Sequence, residues 1–511
     1  MTEKQTTPKF QPGIAFPSAA DGSRSTTKAG AAILAAALEP LNKGHAAEAL
    51  SETHWRRTYP KHFRRLVAGA IASPEAALVS ARAGLTSAWE NLQWDHATGH
   101  TSLREALAKS GQQFQTRTLH GQGDPAVAPW TVPVNGEQLS GDRLLYKIAD
   151  WLTRGIIEPS AAKALGRCIN NPQWFDLSDR TMVLLGAGSE AGPLRWLTRW
   201  RANVVAVDIN RPEVWKRIAD IALAGNGTLA IPMRDSTGQV AENDWYGAAG
   251  ANLISEAPEI AAWLTTFDQT LDVASLAYLD GERHVRVAMG MDMIVDAVCA
   301  ANPRTTLAFL GTPSDIYAIP QGAAEDAMAA YKARPVLSKS FQQSLHLASG
   351  DRFFQPNIEH LVDSSNGLKY GIIDSMIIEQ GPNYVLAKRI QQWRALLARA
   401  AGHRVSLNIA PATNTASVTS NTMLAAGNAG VDSLGMEVFE PETTNALMAA
   451  LWVHDLRAEQ SAANPECILA HPLELFMDNA CHGGLWRSAY VMRSALPMAV
   501  ALGWVRKKFS S

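Results

Sequence analysis

Cysteine is scarce. The four residues Cys168, Cys299, Cys467 and Cys481 are scattered through 511 positions, with no CxxC among them. That usage argues against a disulfide framework and a paired-thiolate zinc site, and makes a reducing compartment, the cytoplasm, the expected location. Charge of one sign is also missing. Lys and Arg number 46 against 48 Asp and Glu, a net −2 with histidines neutral, so no nucleic-acid partner is expected. No run of about 18 apolar residues occurs, and no spanning helix is expected. The first residues are polar and rich in Pro, Ser and Thr, without the apolar centre of a secretory signal.

Apolar side chains are plentiful, at 47% against 18% charged, enough for a large core. Residues 1–28 read as a flexible arm, and 29–178 as a helical N-terminal region with loop chemistry at 121–141. The basic cluster HWRRTYPKHFRR at 54–65 reads as a solvated helix face. From 179 to about 430 the texture changes. TMVLLGA, NVVAVDI, TLAIPM, LDVASLAY, TTLAFLG and RVSLNIA alternate with helical stretches, the pattern of buried parallel strands in βαβ units. This predicts an α/β fold with a Rossmann-type, doubly wound parallel sheet. Residues 431–511 form a C-terminal extension.

The first of these strands runs into GAGSEAG, with Gly186, Gly188 and Gly192 in a GxGxxxG spacing around Ser189. Glycines there allow a sharp turn and bring backbone amides close to a diphosphate, with the next helix, PLRWLTRW, adding its positive end. The second strand ends on Asp208, twenty residues beyond Gly188, where a carboxylate can accept the adenosine ribose hydroxyls. That favours NAD(H), while Arg211 would tolerate the extra phosphate of NADP(H). The third strand leads to Asp235. An S-adenosylmethionine methyltransferase also combines a glycine loop with an acid after the second strand, so the other half of the sheet must discriminate.

There, NYVLAKRIQQWRALLARAAG places Tyr384 and Lys388 four apart on one helical face. A phenol is a poor acid–base group at neutral pH; a neighbouring ammonium favours its phenolate, which can exchange a proton with an alcohol or carbonyl oxygen. A helix bearing YxxxK, then the strand RVSLNIA, then Pro411 with Thr413 and Thr415 close behind, resembles the short-chain dehydrogenase/reductase superfamily over about 180–425. The resemblance implies that Tyr384 is the acid–base group and that Lys388 holds the nicotinamide ribose. It also implies Thr415 on the carboxamide, Asp235 near the adenine, and a homo-oligomer. It requires a catalytic hydroxyl after the fifth strand. Thr312 lies 72 residues before Tyr384, so an insertion at about 316–373 must intervene; Ser375, nine residues before the tyrosine, is favoured, with Thr312 next. The family's Asn-Ala-Gly strand end is replaced by Ser275-Leu276-Ala277, Pro-Ala stands for its Pro-Gly, and its helix asparagine has no counterpart in VRVAMGMDMIVDAV.

His454, His471, Asp478, Cys481 and His482 match no zinc template, and no metal is expected. The last apolar stretch, about 485–505, is expected to pack against a subunit, lie on a membrane surface, or shape the entrance for a bulky hydrophobic substrate. The leading reading is therefore hydride transfer between NAD(H) and a secondary alcohol or ketone. Reduction of an activated C=C bond, methyl transfer and a non-catalytic nucleotide-binding role are the alternatives.

Overall fold

The computed structural model describes residues 12–19, 21–109, 114–190, 192–234, 245–334, 353–377, 380–415, 427–428, 430–495, 497 and 499–500. The protein is a mixed α/β structure around a seven-stranded, mostly parallel sheet. Its strands are β1 (Gln115–His120), β2 (Thr181–Leu185), β3 (Asn203–Val207), β4 (Thr228–Met233), β5 (Leu271–Ser275), β6 (Thr306–Gly311) and β7 (Val405–Ile409). They lie in the order β7-β6-β5-β2-β3-β4-β1. Strands β2 to β7 run parallel, and β1 closes the edge antiparallel to β4. The six aliphatic runs all become strands because β-branched and aliphatic side chains fill both faces: every residue of β2, β5 and β7 is buried.

Alternation splits the core in two. Val183, Val205, Val273 and Leu307 face one layer of helices, which includes Trp55–Ile71, Pro74–Glu90, Glu282–Ala301 and Gly381–Ala400. Met182, Val204, Ala274 and Ala308 face the other, which includes Pro159–Asn170, Pro212–Leu223 and Pro441–Arg457. The strand order is compatible with a Rossmann-like fold. The connections reverse direction between the neighbours β2 and β5, and such a switch point opens a crevice beyond the carboxyl ends of the strands.

Two expectations need correction. The N-terminal region is not wholly helical: it contributes β1 and a hairpin, Gln93–His96 with Gly99–Ser102. QTRTLH was hard to read as a strand because it is a half-exposed edge without an aliphatic run. Nor are residues 12–28 a free arm. Gly13–Ala15 is a buried strand paired with Gln93–His96, and Gly13, at φ +107°, sits so close to the Ile254 carbonyl that no Cβ would fit. The segment between β6 and the tyrosine helix has its own order, an antiparallel sheet of Ile316–Pro320, Lys369–Asp374 and Val362–Asp363.

Among the described residues no helix is long and apolar enough to cross a membrane. The described part of the C-terminal stretch packs elsewhere. Arg487 forms a two-pronged bond with Glu158 (2.8 Å to each oxygen from Nη2), Arg493 reaches Asp374 at 2.6 Å, and Asn357 donates to the Leu485 and Ser488 carbonyls.

Candidate active site

A cavity of about 930 Å³ opens at the switch point. Gly186, Gly188, Ser189, Asp208, Thr312, Tyr384, Lys388 and Thr415 all line it. They come from the carboxyl ends of β2, β3, β6 and β7 and from the helix between the last two. The span from β3 to β6 is three strand spacings, about 14 Å, so the glycine loop and the tyrosine stand at opposite ends of one crevice.

At the loop end, Gly186 has φ +97°, and a Cβ there would lie 2.7 Å from the Ala277 backbone. A Cβ on Gly188 would come within 3.0 Å of Asp208 Oδ2 and of the Arg217 guanidinium. The Gly188 amide donates to Asp208 (2.7 Å), and the Ile209 amide donates to its other oxygen (2.8 Å). Each oxygen keeps a lone pair. Burial raises the Asp208 carboxyl pKa, opposed by those two amides and by Arg217. Arg217 also donates to the Gly188 carbonyl (2.7 Å); it lines the cavity and Arg211 does not.

Two features depart from expectation. The helix after the loop is a single turn, Leu194–Leu197, too short to present a strong positive end. The loop amides are also spent internally: Gly186 and Ala187 donate to the Val207 carbonyl, Ser189 to Gly186, and Gly192 to Ser189. Gly192 closes that turn and does not line the cavity. Asp235 lies outside the described residues.

At the far end, Tyr384 and Lys388 share the cavity face of the Gly381–Ala400 helix. Lys388 Nζ donates to the Leu310 carbonyl (3.3 Å) and to Gln391 Oε1 (3.4 Å). Burial pulls its pKa down to about 8, with Asp315 opposing. Burial pushes the Tyr384 phenol well up, opposed first by the Thr312 side chain. The preference between the two hydroxyl candidates reverses. Thr312 follows β6 and lines the cavity with the tyrosine, whereas Ser375 is 2% exposed and absent from the cavity wall. Its amide is tied to the Asp315 carbonyl at the end of the small sheet. Sequence distance misled: the insertion leaves from just beyond Thr312 and returns just before Tyr384, so a separation of 72 positions closes in space.

Sequence reasoning passed over the wall opposite the tyrosine. His284 stacks on Tyr384 (centroids 5.4 Å apart, planes 19° apart), and Tyr278 meets Tyr384 edge-on at 6.0 Å. The Tyr278 hydroxyl donates to Asp280 (2.9 Å). Burial and the Lys388 charge hold His284 neutral, its pKa lowered to about 3. Nothing in LAYLDGERH marked these residues, because their role comes from the β5 end turning over the switch point. Arg56, from the basic cluster read as solvated, also lines the cavity.

No known family model matches the chain, and no curated protein matches it.

Proposed function

We propose that the protein is a nicotinamide-dinucleotide oxidoreductase acting on a secondary alcohol or ketone. The observation that carries the reading is the single cavity joining the glycine loop and Asp208 to Thr312, Tyr384 and Lys388. The residues present fit such a cofactor. Gly186 and Gly188 leave bare backbone at the switch point, Asp208 keeps lone pairs for ribose hydroxyls, and Lys388 and Thr415, which line the same cavity, would hold the nicotinamide ribose and carboxamide. The diphosphate would be met by the Ser189 hydroxyl and Arg217, since the Gly186, Ala187, Gly188 and Ser189 amides are taken.

When bound, the nicotinamide supplies or accepts the hydride. In the reducing direction Tyr384 gives its phenolic proton to the carbonyl oxygen as the carbon gains the hydride, and the Thr312 hydroxyl orients that oxygen. In the oxidising direction the phenolate takes the alcohol proton as the carbon loses the hydride. The phenolate needs positive charge beside it, because burial alone keeps Tyr384 protonated; Lys388 supplies part of that charge below its pKa of about 8. A methyltransferase would use the loop end alone and leave the Tyr384–Lys388 face idle.

On any ketone or alcohol the protein turns over, Tyr384→Phe should lower kcat by roughly 10²–10⁴ while leaving the melting temperature and dinucleotide affinity close to wild type. Wild-type turnover in that variant would remove the mechanism. A fall in stability with unchanged turnover per folded molecule would make the tyrosine a packing residue.

A further inference from the structure

The expectation of a bulky hydrophobic substrate rested on the C-terminal apolar stretch, and no described residue of 485–500 lines the cavity. The N-terminal region supplies a wall residue of a different kind. The helix Trp55–Ile71 carries the basic cluster, and most of its charges have acidic partners. Lys61 and Arg65 share Glu48 (3.3 and 2.5 Å), His62 meets Glu52 (3.5 Å), and Arg64 meets Asp374 (4.0 Å). Arg56 is in the first turn, exposed, and forms neither an ion pair nor a side-chain hydrogen bond among the described residues, yet it lines the cavity. Three acids share the wall, Asp208, Asp280 and Glu190, and none forms an ion pair with Arg56 among the described residues: Asp208 is held by the Gly188 and Ile209 amides, Asp280 takes the Tyr278 hydroxyl, and Glu190 is engaged by another group.

We infer that the substrate carries an anionic group of the carboxylate or phosphate kind, and that Arg56 receives it. A guanidinium presents a planar fork of donors that matches either anion with two parallel bonds. Exposed at a cavity wall, with no ion-pair partner among the described residues, it is a binding site for one. This rests on the oxidoreductase reading for the identity of the cavity's other occupant, and it deepens that reading by naming the substrate class. It also gives the N-terminal region a role in recognition, since Arg217 and Lys388, the cations that the β2–β7 part of the chain puts in the cavity, are assigned to the dinucleotide.

The test uses three probes with the same ring: phenylacetate, phenyl phosphate and phenylacetamide. Each is titrated into NADH-loaded protein at low ionic strength, with the fluorescence of the bound NADH as the readout. Wild type should bind at least one anion about tenfold or more tightly than the amide, with the margin shrinking as salt is added. The preferred anion identifies the source of the charge. Arg56→Gln should erase the margin without changing NADH affinity or melting temperature, and Arg56→Lys should restore part of it. No anion binding, equal binding of the amide, or a preference that survives Arg56→Gln would each overturn the inference. Should NADH itself not bind, the oxidoreductase reading fails. The same titrations followed by tryptophan fluorescence of the unloaded protein would then still decide whether Arg56 selects anions.

Discussion

Lys388 is held against its own charge. Its pKa drops from an ordinary value of 10.5 to about 8 because burial strips water from the ammonium and Asp315 only partly compensates. Below about pH 8 both folded and unfolded chains carry the proton, so the whole cost of burying the charge is felt. Between about 8 and 10.5 the unfolded chain binds more protons than the folded one, and stability rises with pH through that window. Lys388→Met should therefore raise the melting temperature at pH 7, with an upper bound of about 3 kcal/mol from the shift, and the gain should fade by pH 10.5. Thermal melts of both proteins at pH 7 and pH 10 check this; a variant less stable than wild type at pH 7 would mean that the ammonium is a net structural asset. A residue kept at the expense of stability is what a functional site contains. That Tyr384, Lys388, Asp208, Gly186 and Gly188 belong to one cavity was legible in the sequence, because their pattern depends on local spacing. Thr312 over Ser375, and His284 and Arg56 at all, were not, because their positions depend on where an insertion returns and which distant helix reaches the cavity.

The Gly381–Ala400 helix that presents Tyr384 is fixed by two buried acids on neighbouring elements. Asp315 accepts Arg389 (3.0 Å) and Gln392 (2.7 Å). Asp292, in the middle of the Glu282–Ala301 helix, accepts Arg394 (2.6 and 2.9 Å) and the Trp89 indole (2.8 Å), tying three helices together. Gly84 lets this packing close, since a Cβ there would lie 2.5 Å from the Trp393 ring. Asp292→Ala would leave a mostly buried guanidinium with Asp296 alone (2.9 Å) and an indole N–H without its acceptor. It should cost about 3 kcal/mol, seen as a lower melting temperature, and Asp292→Asn should cost less. Unchanged stability in the alanine variant would show that the acid does not hold the helix. The apolar periodicity of the tyrosine helix was readable from the sequence. The polar ties were not, because each joins positions about 75 to 200 apart.

At the scale of the whole molecule, the six parallel strands could be read from their aliphatic runs, since strands buried on both faces leave that signature. The edge strand β1 could not, because an exposed strand lacks it; the small antiparallel sheet could not, because its strands, though mostly buried, are short and are paired across about 50 intervening positions. The regions outside the parallel sheet also join one another. His482 (2.9 Å) and Arg487 both converge on Glu158, linking the C-terminal stretch to the N-terminal region on the layer that carries Pro159–Asn170. What these parts enclose is one cavity spanning the switch point, and the central claim is that a nicotinamide dinucleotide occupies its loop-to-tyrosine length. The most direct measurement titrates the purified protein with NADH, NADPH and S-adenosylmethionine, following tryptophan fluorescence. The account predicts saturable binding of NADH, weakened at least tenfold by Lys388→Ala, which removes the ribose contact at the tyrosine end, and no saturable binding of S-adenosylmethionine. Tight binding of S-adenosylmethionine without binding of either dinucleotide, or dinucleotide binding indifferent to Lys388, would contradict it.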